Sequence, residues 1–188
     1  MQLLAIHAVR PLQEVRVVNR NEEHYRQFVT IVQTLLGSKC PHISRASSAH
    51  EALSGALLVA CATTSTTPLF VWRDVAPGTH INAIGAFTPE MCEVDAETIA
   101  HARIVVDERE SALVEAGDLL QALASGRVSG AETWVELGDL VRGVQSGRQG
   151  EDEVTLFKSV GIAVQDVAVA SHIYTRAREL GIGIEIDV

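Results

Sequence analysis

Apolar and polar residues recur with two different periods along this chain, and the places where the period changes mark its elements. Residues 14–19 (EVRVVN) alternate and read as a strand. Residues 22–36 carry Phe28, Ile31, Val32, Leu35 and Leu36 at helical spacing, with Asn21 placed to cap the start and Gly37 to end the helix. A short helix fits residues 48–53, before Gly55. Residues 57–62 (LLVACA) are unbroken apolar, the pattern of a parallel strand buried on both faces. Residues 80–84 alternate again after a Pro77-Gly78 turn and stop at Gly85, and Pro89 predicts a helical turn beyond. Asp95 caps a predicted helix through Ala102; residues 103–106 form a strand, 111–123 a helix and 154–157 a strand. Residues 160–180 make one long apolar-faced helix ended by Gly181, and residues 182–186 predict a final edge strand. Residues 1–9 look like the end of a helix that Arg10-Pro11 stops. Strands alternating with helices in this order predict an α/β fold with a doubly wound parallel sheet.

Residues 115–127 (EAGDLLQALASGR) echo residues 136–148 (ELGDLVRGVQSGR). Two copies do not make a repeat architecture, so each reads as a Gly-Asp N-cap, helical turns and a Ser-Gly stop. Residues 145–153 (QSGRQGEDE) read as a polar surface loop.

Composition narrows the function classes. A length of 188 residues fits one domain, and 47% hydrophobic residues supply a sizeable core. Lys+Arg 15 against Asp+Glu 24 gives a net charge of −9 with no basic block, which argues against nucleic acid and against anionic membrane surfaces as partners. Cys40, Cys61 and Cys92 are too widely spaced for a disulfide framework or a zinc site, and the seven histidines show no HxxxH or HExxH spacing. No metal is expected. No apolar run reaches the ~20 residues of a membrane span, and residues 1–10 lack a signal-peptide layout, so a cytoplasmic protein is expected.

Candidate chemistry lies where the strands end, since open α/β sheets bind ligands at their carboxyl edge. Asn19, Arg20 and Asn21 follow residues 14–19. At the end of the second strand of a dinucleotide-binding unit an acidic residue suits a ribose, whereas Arg suits a 2′-phosphate; Asn19-Arg20 therefore favours NADP, with NAD as the alternative. A solvated arginine after a strand is the plainer reading. Thr63 and Thr64 open a hydroxyl-rich stretch (TTSTTP) after residues 57–62, which reads either as a place where backbone and hydroxyls approach a cofactor or as an ordinary polar turn. His80 reads as a histidine hydrogen-bonded at a strand end. Lys158, Ser159 and Gly161 (in LFKSVG) precede the long helix, where a helix N-terminus favours an anion or a carboxamide; for Lys158 a structural ion pair is the competing reading. Asp166 and His172 read as surface or capping groups. No GxGxxG is present, although residues 14–19 would be the second strand of a unit that such a turn opens.

The stretch PGTHINAIGAFTPEMCEVD, residues 77–95, closely resembles the signature of the ornithine cyclodeaminase/mu-crystallin family, PGTHINAIG or a near variant before P-x-x-x-E-[LV]-D. ATTSTTP and FKSVG match the family's cofactor-binding edge and nicotinamide pocket. The family comprises NAD(P)-dependent enzymes acting on amino acids and imines, and a hormone-binding relative. The resemblance implies a Rossmann-type nucleotide-binding fold, a family homodimer and a small-molecule imine or amino-acid substrate, with Asn82 and Gly85 shaping the nicotinamide pocket. Where the cyclodeaminases carry an aspartate as general acid/base, two residues after the motif's glycine, this chain has Phe87. That disfavours ornithine cyclisation and favours hydride transfer to a cyclic imine or imino acid; no catalytic residue is assigned within the chain. Glu93 and Asp95 match the E-[LV]-D pair, and read equally as a helix cap with a solvated face. Residues 1–188 are thus expected to form one incomplete NAD(P)-binding domain lacking the sheet's first strand and glycine turn, with 153–188 its last strand and long helix. The family's substrate domain lies upstream. A truncated, non-catalytic and self-associating remnant is the competing expectation, and a small-molecule binding protein a third.

Overall fold

The computed structural model describes residues 2–184 and 186. Helix α1 (Gln2–Val9) leads to β1 (Glu14–Val17), α2 (Glu22–Leu36), β2 (His42–Arg45) and α3 (Ala49–Leu53). Then follow β3 (Leu58–Cys61), β4 (His80–Ala83), α4 (Ala96–His101) and β5 (Arg103–Val106). The chain continues through α5 (Arg109–Glu115), α6 (Gly117–Ala124), β6 (Val135–Glu136), α7 (Leu137–Val141), β7 (Thr155–Lys158) and α8 (Ala163–Leu180). Every strand pairing is parallel, as the α/β pattern requires.

The strands fall into two sheets: a pair, β1-β2, and a five-stranded sheet in the order β3-β4-β7-β5-β6. No described strand pairs β1 with β3, so the two sheets face each other across open edges. This is a Rossmann-like arrangement with a gap beside β1. In parallel sheets alternate residues bond to opposite neighbours. His42 N–H donates to Gln13 O and Ala46 N–H to Val17 O, so Val15 and Val17 serve β2 and Glu14, Arg16 and Val18 turn their backbone toward the gap. By the same alternation Leu58, Ala60 and Ala62 present the free edge of β3.

The core lies on one face of the five-stranded sheet. Ile81, Ala83, Leu156, Ile104 and Val106 point there and meet Ile99 of α4, Ala112 of α5 and Leu119 and Ala122 of α6. The unbroken apolar run at 57–62 predicts a fully buried strand, but Leu57 is 61% and Leu58 38% exposed, because nothing described covers the outer edge of β3. The long helix α8 also departs from expectation: it has no buried residue, and Val164, Val167, Val169, Ile173 and Tyr174 stand in solvent. Asp166 and His172 are exposed, as expected. Pro89 sits in a turn closed by Met91 N–H donating to Thr88 O, not in a helical turn. The helix predicted over 111–123 is broken at Ala116 into α5 and α6. Of the edge strand predicted over 182–186, residue 185 lies outside the described residues, and Ile182, Gly183, Ile184 and Ile186 form no strand. Among the described residues no helix is long and apolar enough to cross a membrane, and no group of three or more His, Cys, Asp or Glu is placed to hold a metal ion.

Candidate functional site

The carboxyl ends of β1 and β3 open onto one cleft of about 750 Å³. Val18, Asn19 and Arg20 line it from one side and Ala62, Thr63, Thr64 and Ser65 from the other. Asn21 is committed to its cap, accepting from His24 N–H, and Asn19 Oδ1 accepts from Asn21 N–H. Arg45 donates to Asn19 O and pairs with Glu22, which fixes the loop's backbone. Arg20 is exposed at the rim and its side chain makes no hydrogen bond to the described residues. The local sequence thus holds a rigid turn and leaves one guanidinium presented to the cleft.

Beneath the rim, the loops after β3, β4 and β7 are tied together by buried carboxylates. Glu93, with 0% exposure, accepts from Thr63 N–H at 2.5 Å and from Gly85 N–H at 2.7 Å. Glycine at 85 is required by this closeness: a Cβ there would fall on the Thr63 backbone and lie 2.5 Å from the Glu93 carboxylate. Asp118 Oδ1 in turn accepts from the N–H groups of Glu93 (2.5 Å) and Val94 (2.9 Å), and its Oδ2 takes the Lys158 ammonium at 2.7 Å. Gly117 lets α6 come this near, since a Cβ would strike the carbonyls of Thr88 and Met91. Burial pushes the Cys92 thiol up to about 12, with the Asp118 charge adding to it; burial raises Cys61 further. Both thiols are inert core groups.

Three expectations change here. Glu93 is not on a solvated face: it is the buried clamp of the motif, while Asp95 does cap α4, accepting from Thr98 N–H. Asp118 is not an N-cap; Ala116 occupies that position, and the Asp118 side chain turns into the core. Lys158 does not face the cleft. Its side chain has 0% exposure and its ammonium is paired with Asp118, the ion-pair alternative.

Ser159 and Gly161 are likewise engaged elsewhere. Asp107, directly after β5, accepts through Oδ2 from Ser159 Oγ (2.8 Å), Val160 N–H (3.0 Å) and Gly161 N–H (2.8 Å). Three donors on one carboxylate oxygen hold the turn before α8, and Gly161 supplies the positive φ of 85° that the turn needs. Asp107 escapes the apolar pattern, though its place directly after a buried strand is a usable signal.

The motif's polar side chains lie on the other face of β4 from the core. His80 Nδ1 is 2.8 Å from Thr155 Oγ1 on β7, and its Nε2 is 3.2 Å from Asn82 Oδ1. Arg148, in the loop expected to be plain surface, donates to the same Thr155 oxygen at 3.1 Å and to the carbonyl of Glu153. Burial, with the Arg148 charge, holds His80 below its ordinary value although the Asn82 bond opposes this. Phe87 is 50% exposed past Gly85, so the position implied for a proton-transferring aspartate carries an apolar ring at the surface. The structure therefore brings Asn19, Arg20, Thr63 and Thr64 to one cleft. Asn82 and Gly85 lie in and after the adjacent strand, and Lys158, Ser159 and Gly161 support the sheet edge from beneath.

The sequence profile of the ornithine cyclodeaminase/mu-crystallin family matches residues 1–181. A Delta(1)-pyrroline-2-carboxylate reductase of Bacillus cereus is 39% identical over 184 residues, covering 97% of this chain and 55% of the relative. Ketimine reductase mu-crystallin of Mus musculus is 36% identical over 161 residues, covering 86% of this chain and 46% of the relative. Among solved structures, Thermococcus litoralis Delta(1)-pyrroline-2-carboxylate reductase in complex with NADH and L-proline superimposes with a TM-score of 0.91 at 32% identity, over 98% of this chain and 56% of that one. The chain thus spans about half the length of the relatives it matches. With the PGTHINAIG stretch, the parallel sheets and the carboxyl-edge cleft all in place, the chain belongs to the ornithine cyclodeaminase/mu-crystallin family.

Proposed function

We propose that this chain forms the nucleotide-binding part of an NAD(P)-dependent imine reductase, one that delivers hydride to a cyclic imine or imino acid. The observation that carries the reading is the cleft between the ends of β1 and β3, lined by Asn19-Arg20 and by Thr63-Thr64. Its place at the carboxyl edge of the strands and its hydroxyl-rich wall suit a dinucleotide, and the relative from Thermococcus litoralis has NADH bound. The cofactor supplies the hydride, and these residues bind and orient it. Arg20 at the rim favours a 2′-phosphate, hence NADPH over NADH. Lys158, Ser159 and Gly161 act indirectly, by fixing the edge on which the nicotinamide end rests. Exposed Phe87 offers no proton, which supports a reductase over a cyclodeaminase. A second reading, a non-catalytic remnant acting through association, is favoured by the open edges of β1 and β3. In the first reading residues 1–188 supply one nucleotide-binding domain, and a cytoplasmic homodimer fits it.

Calorimetry with NADPH and NADH separates the two. The 188-residue chain is expected to bind NADPH more weakly than the low micromolar range, because no glycine-rich turn supplies amides to a pyrophosphate. In a longer form that carries such a turn, NADPH binds in preference to NADH, imine-dependent NADPH oxidation follows, and Arg20→Asp reverses or erases the preference. An unchanged preference would remove Arg20 from the 2′-phosphate, and a longer form that binds no nucleotide would leave the remnant reading.

A further inference from the structure

Thr155 and His80 sit opposite each other on β7 and β4, in register, with Arg148 behind one and Asn82 beyond the other. The chain of contacts runs from the Arg148 guanidinium to Thr155 Oγ1 (3.1 Å), to His80 Nδ1 (2.8 Å), and from His80 Nε2 to Asn82 Oδ1 (3.2 Å). Such a chain can run in two directions. In one, Asn82 is turned to donate its NH₂ to Nε2, Nδ1–H donates to Thr155, and the Thr155 hydroxyl must donate onward. In the other, Thr155 donates to a bare Nδ1 and Nε2–H donates to the Asn82 oxygen.

Arg148 decides between them. A guanidinium only donates and stays protonated at any working pH. It therefore occupies Thr155 Oγ1 as an acceptor and offers nothing for the hydroxyl proton to reach. The described residues provide Thr155 Oγ1 with no other bonded acceptor, and Thr155 is buried, with 6% exposure. The first direction thus strands a buried hydroxyl proton, at a cost of ~1–3 kcal/mol. The second places the Thr155 hydroxyl proton on His80 Nδ1 and the Nε2 proton on Asn82 Oδ1.

We propose that Arg148, Thr155 and His80 form a one-way relay that fixes His80 as the Nε2–H tautomer and holds the Asn82 amide with its oxygen toward His80 and its NH₂ turned away. Arg148, Thr155 and His80 are thus positioning residues for Asn82. The loop at 145–153 sets, through β7 and β4, which end of that amide faces outward from the motif. A carbonyl-bearing ligand then meets a donor at Asn82, and a ligand offering only donors does not. This last step rests on the proposed nucleotide-binding role; the tautomer does not, and it is measured without any cofactor.

The test is the His80 tautomer in ¹⁵N-histidine-labelled chain, read by magic-angle-spinning NMR, which serves assembled and monomeric protein alike. The resonance is assigned by its loss in His80→Gln. The expected result is protonated Nε2 and bare Nδ1 in the unaltered chain. In Arg148→Gln the side chain at 148 can accept as well as donate, and Nδ1–H is expected to appear as a substantial population. Thr155→Ser keeps the hydroxyl and should keep Nε2–H. An Nδ1–H tautomer in the unaltered chain overturns the relay even if no variant folds, and so does a tautomer unmoved by Arg148→Gln.

Discussion

Lys158 and Asp118 meet at 2.7 Å with both side chains at 0% exposure. Asp118 also accepts two backbone N–H groups, so it cannot become apolar without stranding the amides of Glu93 and Val94. Removing the cation alone leaves a buried carboxylate without its counter-charge. For a pair of this kind the loss is about 3–5 kcal/mol, a large part of a domain's ~5–15 kcal/mol. Lys158→Met is therefore expected to lower sharply the denaturant midpoint of the five-stranded body. Tryptophan fluorescence reports it, because Trp134 is buried in the same core and Trp72 packs against it. A midpoint within experimental error of the unaltered chain would mean that the ammonium contributes no net stability. Glu93 carries a related lesson. Its carboxylate closes the approach of Gly85 to Thr63, and a buried acid of that sort reads as polar surface in any one-dimensional pattern.

Between elements, β4 and β7 are joined by polar as well as backbone contacts, and this gives the sheet a pH dependence. Burial, reinforced by Arg148, holds His80 below its ordinary value of 6.5, against the Asn82 hydrogen bond. The folded body then binds fewer protons than the unfolded chain as pH falls past that value, so its stability is complete above about pH 6.5 and declines below. Glu51 and Glu153, whose values lie below their ordinary 4.5, act only at lower pH. The fall in the fluorescence-reported midpoint from about pH 7 to 5 should be smaller in His80→Gln. Equal slopes in the two proteins would show that His80 does not titrate abnormally. The same elements show what was legible in the sequence. Strands at Arg103–Val106 and Thr155–Lys158 stand out because burial forces their composition, and Leu58–Cys61 stands out by its unbroken apolar run although Leu58 and Ala60 are exposed. His42–Arg45 does not, since Ile43 is its lone apolar residue and its ends are exposed. The cleft residues were legible because carboxyl edges follow strand ends. The supports at Glu93, Asp107 and Asp118 were not, because their partners lie 8 to 54 positions away along the chain.

For the whole molecule, the gap between β1 and β3 governs behaviour. Glu14, Arg16 and Val18 on one side and Leu58, Ala60 and Ala62 on the other turn their backbone toward the gap rather than toward another described strand. Val18 is 49% and Leu58 38% exposed beside it. Arg16 spans part of the distance, donating to the carbonyls of Glu51 and Ser54 at the end of α3. Side-chain bonds of that kind are worth little beside a full ladder of strand pairing and its apolar cover. The β1-β2 pair with α2 is then too weakly coupled to share one transition with the five-stranded body. A natural probe exists, because Trp72 and Trp134 are the chain's two tryptophans and both pack with the larger body. Tryptophan fluorescence should therefore report a later unfolding midpoint than far-ultraviolet dichroism, which also follows α2. Open parallel edges and exposed apolar residues on α8 also invite other copies, so the purified 188-residue chain should elute as self-associated material in light-scattering chromatography. A longer form that places an apolar parallel strand between β1 and β3 should give a discrete species with coincident transitions. A clean monomer of the present chain, with one sharp transition seen identically by both probes, would show that the two sheets are coupled without such a strand and that the gap is closed in solution.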